Sequence, residues 1–372
     1  MRILRRRRAV LSVVVPVYNV AAYLAESLDS LLVQTWQAFD VVIVDDGSTD
    51  GSGDLADGYA ARDRRVRVVH TQNHGLGAAR NEGIRHVRGE YVAFLDSDDV
   101  LPPDAYATLV EALEASGSDF VTGSIVRWEA DGLHEPRWMH RLHSPARSGT
   151  SANEHPEILG DVFAWNKVFR RSFWSAAELA WPEGVRYEDQ PTLTAAYLRG
   201  RFDVRPEIVY HWRIRDDGSS ITQQRALLTD LTDRVVTKRQ SLATVRAEGS
   251  PAVESMFVER VLAGDMWRYF LEIPGCPDDW WDLLRSAVLE FWGDRPLVHS
   301  GLPPVHRLTG WLVEQGRRTD AEAVMSYVAE HRAVPRCLDD HGTRRLDLAA
   351  IAPHVDPESV PAQALELRPH ER

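Results

Sequence analysis

The sequence predicts an α/β fold: a Rossmann-like, mainly parallel sheet followed by an all-helical C-terminal region. Three observations carry this. Through the first hundred residues, β-branched apolar runs alternate with helical periodicity, the rhythm of a parallel sheet with right-handed crossovers. Three of those runs end in polar, largely acidic residues, and ligands of open α/β sheets bind outside the carboxyl ends of the strands. From about residue 225 only helical stripes remain, such as Ala321, Val324, Met325 and Val328.

Taken in order, Val10 to Val17 is a continuous strand behind a basic lead-in, residues 1–9, that carries Arg5-Arg6-Arg7-Arg8. The apolar run after the arginines stops at Pro16 and Asn19 without a small-residue cleavage site, so it reads as a strand and not as a signal segment. Leu24, Leu28, Leu31 and Leu32 sit at helical spacing over 21–33. Phe39 to Val44 is a second buried strand and runs into Asp45-Asp46-Gly47-Ser48-Thr49-Asp50. A helix near 52–62 and a strand at Val66–His70 follow, and Asn73-His74-Gly75-Leu76-Gly77 opens a helix to about Arg88. The strand 91–95 is apolar on both faces and ends in Asp96-Ser97-Asp98-Asp99.

After a helix near 103–115, Asp119–Trp128 reads as a further strand. Residues 129–160 lose periodicity and read as a surface loop. Its histidines (His134, His140, His143 and His155) match no zinc spacing and are expected to be solvated. Order resumes at Phe163–Phe169, and Tyr187-Glu188-Asp189-Gln190 leads into a helix to about Leu198. Val204–Arg213 reads as an edge strand interrupted by Pro206. The last stretch, with Pro353, Pro357, Pro361 and Pro369 among charges, reads as a disordered tail. The boundaries are therefore 1–9 for the lead-in, 10–224 for the α/β domain, 225–350 for the helical domain and 351–372 for the tail.

Composition narrows the classes. A net charge of −12 argues against a nucleic-acid partner, which would require a basic face. Cys276 and Cys337 offer neither a disulfide framework nor a metal spacing, which fits a reducing, cytoplasmic compartment. No apolar run approaches the ~18 residues of a membrane span. The four arginines leave peripheral contact with anionic lipid open beside a plain solvated tail. Of twelve tryptophans eleven follow residue 127; packing in the core or at an interface accounts for them, with sugar contact as the alternative.

Two carboxylates one residue apart on a turn, Asp96 and Asp98, can hold a hard cation through oxygen ligands, and that cation can bind a diphosphate. Asp98 or Asp99 ahead of Pro102, Pro103 and Asp104 also makes a sensible helix cap, and a lone D-x-D does not choose between the two.

Four motifs in order carry a resemblance: Pro16-Val17-Tyr18-Asn19, Val44-Asp45-Asp46-Gly47-Ser48-Thr49-Asp50, Gly75-Leu76-Gly77-Ala78-Ala79-Arg80-Asn81-Glu82-Gly83 and Phe94-Leu95-Asp96-Ser97-Asp98-Asp99. Together they closely resemble family 2 glycosyltransferases, whose catalytic domain has the GT-A fold, over roughly residues 10–220. The resemblance implies that Pro16, Tyr18 and Asn19 line a base pocket, with Asp45 or Asp46 on the base. It implies that Asn73 and Arg80 reach the nucleotide, Asp96 with Ser97 the ribose, and Asp98 a divalent metal, Mn2+ or Mg2+. The run Glu188-Asp189-Gln190 matches the family's acidic motif, which makes Asp189 the catalytic base with Glu188 beside it; first-turn complementation of the helix dipole is the other reading. The EDQ and the run His211-Trp212-Arg213-Ile214-Arg215-Asp216-Asp217-Gly218-Ser219-Ser220-Ile221 look most like bacterial enzymes that decorate wall teichoic acids and other surface polymers. By the same resemblance His211 completes the metal shell, or is simply structural. Arg213 and Arg215 either grip the diphosphate or face solvent.

The implied activity is inverting, metal-dependent transfer from a nucleotide sugar, a UDP-hexose or UDP-N-acetylhexosamine. The implied acceptor is a hydroxyl of a polymeric or lipid-linked surface glycan: teichoic acid, capsule or exopolysaccharide. Without a Q-x-x-R-W motif or a membrane span, one sugar per encounter is expected. A catalytically inactive sugar-nucleotide scaffold and a nucleotidyltransferase are the alternatives, although the second requires a Gly-rich, lysine-bearing loop where Pro16-Val17-Tyr18-Asn19 stands. The helical region is left to acceptor binding, to a homo-oligomer, or to docking on a membrane enzyme, and the place expected for the chain is the cytoplasm, with the inner face of the cell membrane as a peripheral site.

Overall fold

A computed structural model describes residues 10–215, 224–331, 333–339 and 342–371. The basic lead-in 1–9 and the end of the His211 run lie outside the described residues. The chain divides into two compact units, Met1–Ser219 with Ala243–Gly249, and Ser220–Leu242 with Ser250–Arg372.

The first unit opens with β1 (Leu11–Val17), α1 (Ala21–Leu32), β2 (Phe39–Asp45), α2 (Ser52–Arg62), β3 (Val66–His70), α3 (Leu76–His86) and β4 (Tyr91–Phe94). It continues through α4 (Ala105–Ser116), β5 (Phe120–Glu129), β6 (Gly132–His134), α5 (Arg137–His143), β7 (Arg147–Thr150), β8 (Lys167–Arg170), α6 (Arg171–Ala176), α7 (Asp189–Arg199) and β9 (Phe202–Arg213). One sheet runs β3-β2-β1-β4-β8-β5-β9-β7, with β6 paired to β5. The strands β1 to β4 are mutually parallel and β8 enters antiparallel between β4 and β5. Every residue of β1 and β4 is buried, as continuous apolar runs in a sheet covered on both faces require. The register sets Val17 opposite Asp45 and Val14 opposite Phe94, so β1, β2 and β4 deliver their following loops to one edge.

Two glycines let α3 come close to its neighbours. A Cβ on Gly83 would stand 2.3 Å from a methyl of Val14, and one on Gly77 would stand 2.1 Å from the Pro182 carbonyl oxygen.

Two expectations for this unit need correcting. The stretch 129–160 holds β6, α5, β7 and a 3-10 turn at Pro156–Gly160, elements of 3 to 7 residues that are too short to print a period. Within it His143 (0% exposed) and His155 (6%) are buried and hydrogen-bonded, whereas His134 and His140 are exposed. β9 is not the last strand of the sheet, because β7 pairs with its start at Phe202 and Val204; the pairing with β7 does not extend over the rest of the strand. Pro206 is tolerated there because the register skips from Gly123 opposite Arg205 to Ser124 opposite Ile208, which takes residue 206 out of the ladder.

The second unit is helical: α8 (Leu228–Glu248, its end counted with the first unit), α9 (Pro251–Met256), α10 (Ala263–Phe270), α11 (Asp278–Trp292), α12 (Pro304–Glu314) and α13 (Arg318–Glu330). A π-helical turn at Phe257–Leu262 joins α9 to α10. A short hairpin, β10 (Arg336–Leu338) with β11 (Arg344–Leu346), precedes α14 (Leu348–Ile351) and α15 (Ala362–Leu365). Trp280, Trp281 and Trp292 are buried within it, and Trp267 stacks on His306 at 4.4 Å.

The disordered tail predicted for 351–372 is folded through residue 371. Val355, Val360, Ala364, Leu365 and Leu367 are buried, and Glu371 pairs with Arg307, Nη2 to Oε2 2.9 Å, whose side chain is 0% exposed. The prolines start turns here: Pro357 opens a 3-10 turn and Pro361 precedes α15. Among the described residues no helix is long and apolar enough to cross a membrane.

Candidate active site

The edge begins with loops that hold one another. Pro16 is buried in β1, whereas Tyr18 and Asn19 stand exposed just beyond it. Asn19 has a positive φ of 50°, its side-chain oxygen accepts from the Thr49 N–H at 2.8 Å, and its own N–H donates to Ser48 Oγ at 3.1 Å. Asp45 accepts from the Ser48 N–H at 3.1 Å and lies 2.9 Å from His70 Nδ1. That bond, against the opposing effect of burial, raises the His70 pKa. Asp46 accepts from the backbone N–H groups of His74 (3.0 Å) and Gly75 (2.8 Å), which fixes the entrance to α3. Asn73 is exposed, and its side-chain oxygen accepts from the Gly75 N–H. A cleft of about 500 Å³ opens beside this entrance, lined among others by Asp46, His74, Arg85 and Glu183. Of the residues assigned to the nucleotide, only Asp46 lines it.

Arg80 departs from its expected place. It is 2% exposed, and its guanidinium is taken at one end by Asp96 Oδ1 (2.7 Å) and at the other by Glu188, so it touches the site through those acids. The α3 helix carries Arg80 under the edge, and the turn before α7 brings in Glu188 from 108 residues away. Glu188 is 4% exposed, and burial pushes its pKa up to about 7 against the pull of Arg80, with Asp189 and Asp96 adding to the rise. Asp189 is the first residue of α7 and is half-buried, where the helix N-terminus favours a carboxylate.

The acidic turn is held from β9. Asp99, 2% exposed, accepts from the Tyr210 hydroxyl (2.9 Å) and from the Arg213 N–H (2.7 Å). Burial, with Asp98 and Asp96 close by, raises its pKa well above the carboxylate range. Ser97 is buried in the same turn. Asp98 is bound by Arg215, 2.7 Å from Nη2 and 2.9 Å from Nε. Burial raises the Asp98 pKa; Arg215 opposes this and Asp96 reinforces it. Neither acid caps α4, whose N-cap is Asp104, so the capping alternative is set aside. His211 pairs its backbone with Val100 in both directions, and burial lowers its pKa. Among the described residues the cluster of three metal-type donors is Glu129, Asp131 and His134; Asp98 and His211 form no such cluster. Sequence reasoning missed His70 and Tyr210. For Tyr210 the available signal is a hydroxyl inside a buried strand two residues before Trp212.

A mainly parallel α/β sheet that collects Asp45, Asp46, Asp96 and Asp98 beyond its strand ends defines a Rossmann-like domain with an acidic ligand edge. Residues 12–175 match the family described as glycosyl transferase family 2. It is 33% identical over 218 residues to the uncharacterized glycosyltransferase EpsJ of Bacillus subtilis, a match covering 57% of this chain and 62% of EpsJ. With GlyG, a glycosyltransferase of Streptococcus pneumoniae, it shares 42% identity over 124 residues, 33% of this chain and 41% of GlyG. The chain thus spans less than two thirds of these relatives. Its fold is similar to the crystal structure of S. aureus TarS, with a TM-score of 0.65 at 18% identity, covering 91% of this chain and 58% of that one. A TarS 1-349 structure in complex with UDP-GlcNAc gives a TM-score of 0.60 at 18% identity and covers 96% of this chain and 99% of that chain.

Proposed function

We propose that the chain transfers a sugar, with inversion and one unit per encounter, from a UDP-hexose or UDP-N-acetylhexosamine to a hydroxyl of a surface polymer or its lipid-linked precursor. The observation that carries this reading is the Arg80 bridge, which ties the donor-side acid Asp96 to Glu188, the neighbour of Asp189, across the sheet edge. The family match and the UDP-GlcNAc named for the TarS structure support the choice of donor.

In the reaction, Asp189 takes the proton of the acceptor hydroxyl as that oxygen bonds to the anomeric carbon from the face opposite the diphosphate. The bond from that carbon to the diphosphate oxygen breaks, and its electron pair leaves with UDP. Arg80 keeps Glu188 and Asp96 in place while this happens.

The donor set of the turn fits a divalent ion, Mn2+ or Mg2+. Asp96, Asp98 and Asp99 offer hard oxygens, their charges disfavour one another, and a cationic group, Arg215, already sits on Asp98. Asp98 would hold the ion, with His211 as a second ligand. When bound, the ion neutralises charge developing on the leaving diphosphate. We place the enzyme in the cytoplasm at the inner face of the membrane, with the helical unit serving acceptor binding or a homo-oligomer.

UDP release from UDP-glucose and UDP-N-acetylglucosamine, with manganese, tests the assignment. Asp189→Asn is expected to bind UDP as the wild type does and to lose turnover by roughly 10²–10⁴. A loss of UDP affinity as large as the loss of rate would move Asp189 to the donor site and refute its role as base.

A further inference from the structure

His70, the last residue of β3, plays no part in the chemistry above, yet its ring lies between two acids. Nδ1 is 2.9 Å from Asp45 Oδ2 at the end of β2, and Nε2 is 3.2 Å from Asp57 Oδ1 on α2. A carboxylate only accepts and a neutral imidazole has a single N–H, so the imidazolium alone gives each acid a donor. The bond to Asp45 is the main cause that raises the His70 pKa; burial opposes it and Asp57 adds to the rise. Among the described residues the charged groups that face the ring are these two acids, from β2 and from α2, while Val66 and Val68 share its side of β3. The start of α2 packs tightly on the pair: a Cβ on Gly53 would stand 2.6 Å from Asp45 Oδ2 and 3.6 Å from His70 Cε1.

Asp45 is the hub through which this charge reaches the sheet edge. Its Oδ1 accepts from the Ser48 N–H at 3.1 Å while His70 takes Oδ2, so both oxygens of a side chain 8% exposed are committed. The segment 46–52 that leaves Asp45 then grips the chain just beyond β1. Ser48 Oγ accepts from the Asn19 N–H (3.1 Å), and the Thr49 N–H donates to Asn19 Oδ1 (2.8 Å). Ser52 Oγ accepts from the Val20 N–H (2.9 Å), and Asp50 Oδ2 from the Ala21 N–H (2.9 Å). These bonds keep Asn19 at its positive φ of 50°, a conformation that persists only where the surroundings enforce it. A continuous line of contacts, Asp57–His70–Asp45–Ser48–Asn19, thus runs from α2 to the exposed residues at the carboxyl ends of β1 and β2, where an open α/β sheet receives its ligand.

We propose that His70 is a positioning residue for the donor site: as a cation clamped between Asp45 and Asp57 it holds the loops after β1 and β2 in the shape that receives the nucleotide sugar, and its deprotonation loosens them. This rests on the reading that the sheet edge binds a UDP-sugar. Calorimetry with UDP-N-acetylglucosamine and magnesium, between about pH 6 and 8.5, compares the wild type with His70→Gln and Asp57→Asn. The sugar nucleotide is used in place of UDP because its diphosphate carries no terminal phosphate that titrates in that range. Wild-type affinity is expected to fall about tenfold as pH rises through the His70 pKa, the size of one lost hydrogen bond to a charged group. His70→Gln is expected to bind weakly and equally across the range. Asp57→Asn leaves Asp45 its partner and removes one acid from His70, so the fall moves to lower pH. By reciprocity, donor binding shifts the His70 titration, followed by NMR of the ring protons, to higher pH by the same tenfold. A fall in affinity that persists in His70→Gln would overturn the proposal. If His70→Gln does not fold, Asp57→Asn decides: a fall displaced to lower pH supports the proposal, and an undisplaced one overturns it. Binding without pH dependence in the wild type refutes the role of His70 alone, whereas no binding of UDP-N-acetylglucosamine or UDP-glucose at any pH refutes the donor reading and the proposal with it.

Discussion

Replacing Arg80 by methionine removes the one charge that serves both Asp96 and Glu188, and the cost depends on pH in a calculable direction. Burial raises the Glu188 pKa from 4.5 to about 7 in the folded protein. The folded state therefore holds a proton that the unfolded chain releases between those values, so this group's contribution to stability is fullest below pH 4.5 and is lost as pH rises through 7. The shift corresponds to about 3 kcal/mol. At pH 8 Glu188 is ionised and Arg80 is its counter-charge; deleting one partner of a buried pair costs about 3–5 kcal/mol. At pH 5 Glu188 already carries its proton, so the variant loses chiefly the bond to Asp96, whose side chain is 24% exposed, about 1.5–3 kcal/mol. For a domain of this size each kcal/mol moves the midpoint by about 2–4 °C, which gives a depression of roughly 6–20 °C at pH 8 and about half that at pH 5. Scanning calorimetry of both proteins at the two pH values measures it. An equal depression at pH 5 and pH 8 would refute the claim that Arg80 neutralises Glu188.

Calorimetry is expected to show UDP affinity rising with manganese in the wild type and not in Asp98→Asn; the same manganese dependence in both proteins would refute Asp98 as a metal ligand. In the helical unit the sign of the pH dependence reverses. His306 is 8% exposed and burial pushes its pKa down to about 4, so its stabilising contribution is present above pH 6.5 and lost as pH falls through 4, about 3 kcal/mol in all. His306→Phe should flatten the acid limb of that unit's unfolding, followed by tryptophan fluorescence between pH 4 and 7.

Much of the first unit was legible because its strands are buried on both faces. The runs of β1, β2 and β4 are uninterrupted apolar text whose polar ends mark the edge, and their predicted limits agree with the structure to within about one residue. What joins the motifs was not legible. Arg80 and Glu188 are 108 residues apart, and only the topology that threads α7 back past α3 makes them neighbours. His143 read as a solvated loop histidine because its partners, Thr122 and Asp161, come from elements on either side of a segment without a period. The C-terminal segment misled through its prolines, which signal breaks but here begin turns, while single apolar residues such as Leu365 and Leu367 fill the core one at a time. The FAWNKVF run did carry a signal, a lysine inside an apolar strand, that calls for a buried carboxylate without naming Asp161.

The Tyr210 hydroxyl donates to Asp99 at 2.9 Å and accepts from the Asp96 N–H at 3.2 Å, so the acidic turn and the end of β9 share one hinge pin 111 residues apart in the chain. Such a joint shapes how descendants of this sequence can drift. Losing the hydroxyl alone leaves one oxygen of the buried carboxylate without its donor, the Arg213 N–H staying on the other, and losing the carboxylate alone takes the acceptor from a buried hydroxyl, so positions 99 and 210 are expected to change together across a lineage. The same holds for anyone grafting a foreign turn onto this scaffold: the graft must bring its own carboxylate at position 99 to meet Tyr210, or the transplanted loop arrives without its anchor.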